Sequence, residues 1–221
     1  MKKPYTISPS TLKIYEDCPR CFWLHFNKGL KRPSMPFPSL PNGIDRVLKD
    51  YYDIYRRGNK LPPELAELNK EGIKLYNNYD VLDDLRKFNR GMKWKNKKGD
   101  VVRGALDDLL EKDGKFIVLD YKTRGFPLKD DTVGFHKMQL EVYTFLLGKS
   151  GFEMEDYGYL IFYHPQKVEG SRAISFNTDL VKVDVSVSHA EKFIHGALNV
   201  LKGRIPKSSE DCLYCNWAKS L

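Results

Sequence analysis

Two aspartates, a lysine and a tight turn set the chemistry open to this chain. Asp113-Gly114 is a two-residue turn signal that supplies positive φ angles, and apolar, strand-like runs flank it within Gly104–Thr123. If those two residues form the turn, Lys112 pairs with Lys115, and counting outward along the antiparallel ladder sets Asp107 opposite Asp120. Facing Cβ atoms lie roughly 4.5–5.5 Å apart, where two carboxylates repel unless a cation is held between them. Alternation sends Asp120 and Lys122 to one face and Tyr121 to the other; Asp107 joins the first face, and Asp108 points away. Two carboxylates and a lysine on one face suit a Mg²⁺ or Mn²⁺ ion with a cation near an attacking water or a phosphate. A surface hairpin with solvated charges meets the same spacing, and a slip of one residue exchanges Asp107 for Asp108.

The second set is Cys18-Pro-Arg-Cys21 and Cys212-Leu-Tyr-Cys215, which hold all four cysteines of the chain. Two Cys-x-x-Cys pairs without a secretory signal read as a tetrathiolate metal site ahead of disulfides or free redox cysteines. Four thiolates suit tetrahedral Zn²⁺ or an iron–sulfur cluster. Because the pairs lie at opposite ends of the chain, the metal would staple those ends together.

The elements that position these groups are legible in outline. With 221 residues the chain suits a single domain over 1–221: a helical portion over about 1–90, the sheet and helices over about 91–203, and a cysteine-containing tail over 204–221. A net charge of +8 and a pI near 9.1 favour an anionic partner. No window approaches the roughly 20 apolar residues of a membrane span. Met1-Lys-Lys is followed by polar residues instead of a signal-peptide core, so no membrane association and a cytosolic (cytoplasmic) location are expected.

Ser8 reads as the N-cap of a first helix with Pro9 at its first position, ending near Cys18-Pro19. Phe22-Trp23-Leu24-His25-Phe26 suits core packing ahead of a base-stacking platform. Four prolines make Lys31–Asn42 an extended loop, and an amphipathic helix follows over Gly43–Arg57 with Asp45 near its start. A looser helical period covers Pro63–Arg86. Met92–Asn96 and Val101–Arg103 form a hairpin whose Lys93, Lys95, Lys97 and Lys98 either grip phosphates or make a solvated edge. Thr132–Leu147 reads as a helix presenting His136, Gln139 and Tyr143 toward the hairpin carboxylates. Tyr157–His164 is a buried strand, Val181, Val183, Val185 and Val187 alternate as another, and Ser188-His-Ala-Glu191 is a capping box opening a last helix to about Leu201. The order gives an α/β class with a mixed sheet and helices on both sides.

Taken together, Gly104-x-x-Asp107, Asp120-Tyr121-Lys122-Thr123 and Gln139-Leu-Glu-Val-Tyr143 resemble the signature of the PD-(D/E)xK nuclease superfamily, in its RecB-like branch. The cysteine pairs and the Gly203…Pro206…Cys212 tail are similar to the cysteine-clamped members, which include CRISPR-associated RecB-like exonucleases. The resemblance implies a restriction-endonuclease-like core and a Mg²⁺- or Mn²⁺-dependent deoxyribonuclease, an exonuclease serving repair, recombination or CRISPR adaptation. It implies that Asp107 and Asp120 bind the ion with the main-chain carbonyl of Tyr121, that Lys122 orients or activates water, and that Gln139 and Tyr143 support the site or contact DNA, single-stranded or at duplex ends. Relatives place a His or Glu in the helix before the sheet, and the matching position here is Asp45; His25, His136 and His164 are the other candidates. Relatives often arrange one N-terminal and three C-terminal cysteines around a 4Fe-4S cluster, whereas Cys18, Cys21, Cys212 and Cys215 are two and two, an arrangement common for Zn²⁺; the resemblance puts the cluster first and Zn²⁺ second. Helicase or CRISPR adaptation proteins are the partners the relatives imply. A nucleic-acid-binding or structural subunit that keeps the fold and cuts poorly is the alternative, and a zinc-stabilised binding module of other ancestry is a third.

Overall fold

The computed structural model describes residues 4–33, 39–129 and 132–219. Asp113 (φ 48°) and Gly114 (φ 81°) take the positive angles the turn requires, and Lys112 pairs with Lys115. The turn joins β5 (Asp108–Lys112) to β6 (Lys115–Thr123), and β6 continues parallel to β7 (Tyr157–Val168), which forms a hairpin with β8 (Ile174–Asp184). Helix α5 (Gly134–Lys149) supplies the crossover that a parallel β6–β7 pair needs. A short β2 (Lys74–Leu75) pairs antiparallel with β5, completing the order β2-β5-β6-β7-β8.

Alternation divides this sheet between two apolar layers. Leu109, Val118, Leu160 and Phe162 pack on one side with Leu140, Val142 and Phe145 of α5. Leu110, Ile117, Leu119 and Tyr121 pack on the other, under Tyr52 of α3 (Ser39–Arg57) and Leu65 and Leu68 of a 3-10 helix over Pro63–Glu71. A second sheet, ordered β1-β4-β3, joins the first layer through Ile7 of β1 (Thr6–Ile7), Val102 of β4 (Val101–Gly104) and Met92 of β3 (Met92–Lys95). At the N-terminal end, α1 (Pro9–Asp17) is capped by Ser8, with Thr11 returning the bond, and α2 (Pro19–Lys28) follows at once.

Several sequence expectations are corrected. Pro63–Arg86 is not one helix: Gly72 ends the 3-10 turn in the left-handed region (φ 73°), β2 intervenes, and Asn78 caps a separate α4 (Tyr79–Arg86). The portion before residue 90 therefore contributes two strands as well as helices. The proline-rich segment gives way at Ser39, where Pro41 sits in the first turn of α3 and so removes no helical hydrogen bond; Pro36 and Pro38 lie outside the described residues. Helix α5 begins at Gly134 instead of Thr132. Val187 opens α6 (Val187–Lys202) instead of ending a strand, and its cap is Ser186, whose side chain accepts the His189 N–H, in place of Ser188. Two serines two apart present the same cap chemistry, and the end of β8 at Asp184 decides between them. Helix α7 (Leu213–Lys219) carries Cys215.

Candidate active site and cysteine centre

The hairpin register puts Asp108 opposite Leu119, and Asp107, one residue before β5, lies beside Asp120. Asp107 is fixed by three contacts. Its Oδ2 accepts the Tyr121 N–H (3.0 Å), its Oδ1 meets Lys49 Nζ (3.0 Å), and its carbonyl accepts Arg86 Nε (2.9 Å). Asp120 is 1% exposed, and burial pushes its carboxyl up to about 7 despite the pull of Lys122. Lys122 Nζ lies 2.5 Å from Asp120 Oδ2, yet that oxygen takes no hydrogen bond of acceptable geometry.

Gln139 joins these groups to α5. Its Oε1 accepts from Lys122 Nζ (3.0 Å), and its Nε2 donates to Asp120 Oδ1 (3.1 Å) and to the Tyr143 hydroxyl (3.0 Å). Gly104 gives the Tyr143 ring its place, because a Cβ there would stand 2.9 Å from Tyr143 Cε1. Thus Asp107, Asp120, Lys122, Gln139 and Tyr143 form one connected group. Asp45 reaches it only through Lys49, whose Nζ lies 2.8 Å from Asp45 Oδ2. Burial opposes the Lys49 charge, and Asp107 and Asp45 more than restore it, raising its pKa. Lys49 was not singled out from the sequence, although Asp45–Lys49 is a four-residue helical pair of opposite charge. Of the histidine candidates, His25 packs on Phe26, His164 faces Asp179 at 3.4 Å, and His136 stands against Phe162 near Gln139.

The far face bears out the expectation for Asp108 and gives it partners. It points away from Asp120 as alternation requires, but into the protein: Asp108 is 0% exposed and Arg56 is 1% exposed. Arg56 Nη2 donates to both Asp108 oxygens (2.6 Å each), Arg86 Nη2 to Oδ2 (3.0 Å), and the Tyr121 hydroxyl to Oδ2 (2.5 Å). Asp53 holds the other sides of Arg56 and Arg86. A fully paired buried cluster of this kind fixes geometry more than it adds stability.

Beside Gln139 and Tyr143 opens a cavity of about 400 Å³ lined also by Ser8, Lys13, Phe88, Gly104 and Phe135. Both phenylalanines are exposed and each carries a cation over its ring: Arg103 at 4.1 Å from Phe88 and Lys13 at 5.2 Å from Phe135. Of the hairpin lysines read as either phosphate grips or a solvated edge, Lys95, Lys97 and Lys98 line a separate cavity with Trp94 and Lys202.

The chain ends do meet at the cysteines. Cys18, Cys21, Cys212 and Cys215 are buried and unbridged, their sulfurs all within 4.8 Å of one another, with Cys21 3.5 Å from Cys212 and 3.6 Å from Cys215, and Cys18 3.9 Å from Cys215. Among the described residues this is the one group of three or more His, Cys, Asp or Glu ligand atoms that close together. Burial works against ionising Cys18, but N–H groups of Cys21 and Ser209 outweigh it and bring the thiol down to about 6; burial pushes Cys215 up. Arg32 lies against Cys21, pairs with Asp17 at 2.9 Å and stacks on Tyr214 at 4.8 Å. Donors aimed at buried sulfur fit thiolates bound to a metal.

The profile of the PD-(D/E)XK nuclease superfamily matches residues 6–220, so the chain belongs to that superfamily, and its mixed sheet with flanking helices is the restriction-endonuclease-like fold. It is a nuclease fold of a class that acts on nucleic acid and usually uses divalent metal. The crystal structure of SSO0001 is similar over 100% of this chain and 87% of its own, at 16% identity and a TM-score of 0.44. No curated protein matches the chain. Among the described residues no helix is long and apolar enough to cross a membrane.

Proposed function

We propose that the protein is a divalent-metal-dependent deoxyribonuclease of exonuclease type, its hydrolytic centre made by Asp107, Asp120, the Tyr121 carbonyl and Lys122. The observation that carries this reading is the buried Asp120 Oδ2, left without a hydrogen bond beside Asp107 and within 2.5 Å of Lys122. The Lys122 ion pair leaves that oxygen without a well-aligned donor, and a cation ligated between the two carboxylates would complete its coordination. A bound Mg²⁺ or Mn²⁺ supplies a water of lowered pKa and polarises the phosphoryl oxygen. The chain itself orients the acids: Tyr121 N–H turns Asp107, and Gln139 holds Asp120 Oδ1 and Lys122 Nζ at once. Lys122 thus stands beside Asp120 as a fixed positive charge for a phosphate or an incoming hydroxide.

Phe88 and Phe135, with Arg103 and Lys13 over them, favour DNA strands with unpaired bases in the adjoining cavity, since stacking on an aromatic ring needs an open base face. At the cysteines, four sulfurs within 4.8 Å of one another, three of their pairs at 3.5–3.9 Å, favour one tetrahedral ion. Zn–S bonds of about 2.3 Å set sulfurs about 3.8 Å apart, whereas a cluster of four irons spreads its thiolates much farther. Zinc is therefore the preferred occupant over 4Fe-4S. The second reading, a nucleic-acid-binding subunit that cuts poorly, is favoured by the Lys49 ammonium on Asp107.

Labelled single- and double-stranded DNA incubated with Mn²⁺, Mg²⁺ or chelator separates these readings. Metal-dependent cleavage lost in Asp120→Asn and Lys122→Met supports the nuclease, and tight binding without cleavage by the wild type supports the subunit.

A further inference from the structure

Lys49 has no role in the proposed hydrolysis, yet it is built into the site. It sits one helical turn after Asp45 on α3 and crosses to Asp107, its Nζ 2.8 Å from Asp45 Oδ2 and 3.0 Å from Asp107 Oδ1. Its side chain is 21% exposed and that of Asp107 20%, so neither is freely solvated. Asp107 Oδ2 already accepts the Tyr121 N–H and the Asp107 carbonyl accepts from Arg86, so Oδ1 is the carboxylate oxygen with the most capacity left for a cation. That oxygen is the one the ammonium holds.

We propose that Lys49 is a resident counter-cation that competes with the divalent ion for Asp107 and must release it before the ion can load. This rests on the metal-site reading above. An ammonium and a divalent ion cannot share an oxygen at such distances without strong repulsion. The lysine stem is flexible enough to swing, and the freed ammonium stays tethered through α3 near Asp45, at a site where a phosphate is the next anionic partner. Asp45 and Asp107 are thereby held to one ammonium while the site is empty, and the ion binds more weakly to the resting protein than its ligands alone would allow.

The test is a Mn²⁺ titration of the full-length protein, with free Mn²⁺ read by electron paramagnetic resonance and folding checked by Tm. Lys49→Met should bind Mn²⁺ on the order of tenfold more tightly than wild type, since it removes a competing charge from a partly buried ligand. Lys49→Gln should follow it, and Lys49→Arg, which keeps a cation, should remain near wild type. Equal or weaker binding in both neutral variants, with binding abolished in Asp107→Asn, overturns the inference and leaves the metal site standing. No Mn²⁺ bound by wild type or variants overturns both.

Discussion

Tyr121 ties two neighbouring aspartates to opposite faces of the sheet: its hydroxyl donates to Asp108 at 2.5 Å, and its backbone N–H donates to Asp107 at 3.0 Å. The candidate metal ligand on one face is thus anchored to the buried ion cluster on the other. Asp108→Ala leaves Arg56 and part of Arg86 buried without their carboxylate. It should cost about 3–5 kcal/mol in urea denaturation. Tyr121→Phe, which removes one hydroxyl and keeps the ring against Tyr52, should cost about 1–2 kcal/mol.

Gly104→Ala tests the placement of Tyr143. The added Cβ would stand 2.9 Å and 3.3 Å from two carbons of that ring, so the ring must move away and take its bond to Gln139 with it. Stability should fall by about 1–3 kcal/mol, and cleavage in Mn²⁺ should fall more than tenfold because the Asp120–Gln139–Lys122 geometry is disturbed. A variant that cleaves like wild type would remove Tyr143 from the site.

The centre of the fold was readable because a two-residue Asp-Gly turn fixes a register without help from distant residues, and the Asp107–Asp120 pairing follows from it. Positions decided by distant segments were not readable. Alternation puts Asp108 on the face of Leu110, and the groups that satisfy it there, Arg56 from α3, Arg86 from α4 and the Tyr121 hydroxyl, come together only in the fold. The loose period over Pro63–Arg86 concealed Lys74–Leu75, because a two-residue edge strand is chosen by its partner β5 rather than by its own sequence. Lys49 was visible only as an ordinary helical ion pair; its reach to Asp107 depends on how α3 lies on the sheet.

For the cysteine centre, one zinc per chain and a colourless protein are expected by elemental analysis and absorbance. Cys215→Ala should lose the metal and unfold at lower temperature, since thiolate-bound zinc in small modules contributes roughly 10–16 kcal/mol to folding. Arg32→Met should keep the site but release zinc to a chelator about 10–100-fold faster, because the guanidinium beside Cys21 is lost.

His136 gives a pH signature. Burial, then the charges of Lys122, Lys13 and Arg124, lower it from the usual 6.5 to about 4. Between those values the unfolded chain binds the proton and the folded protein does not, so stability should fall as pH drops from about 6.5 toward 4. His136→Gln should flatten that part of a Tm-against-pH curve; an unchanged slope would place the titration elsewhere.

The most direct measurement of the central claim is a crystal structure with Mn²⁺ soaked in, located by its anomalous signal. The predicted result is a peak shared by Asp107, Asp120 and the Tyr121 carbonyl, with Lys49 swung away from Asp107 Oδ1. A peak elsewhere, or none at these carboxylates under conditions where the protein cleaves DNA, would contradict the account.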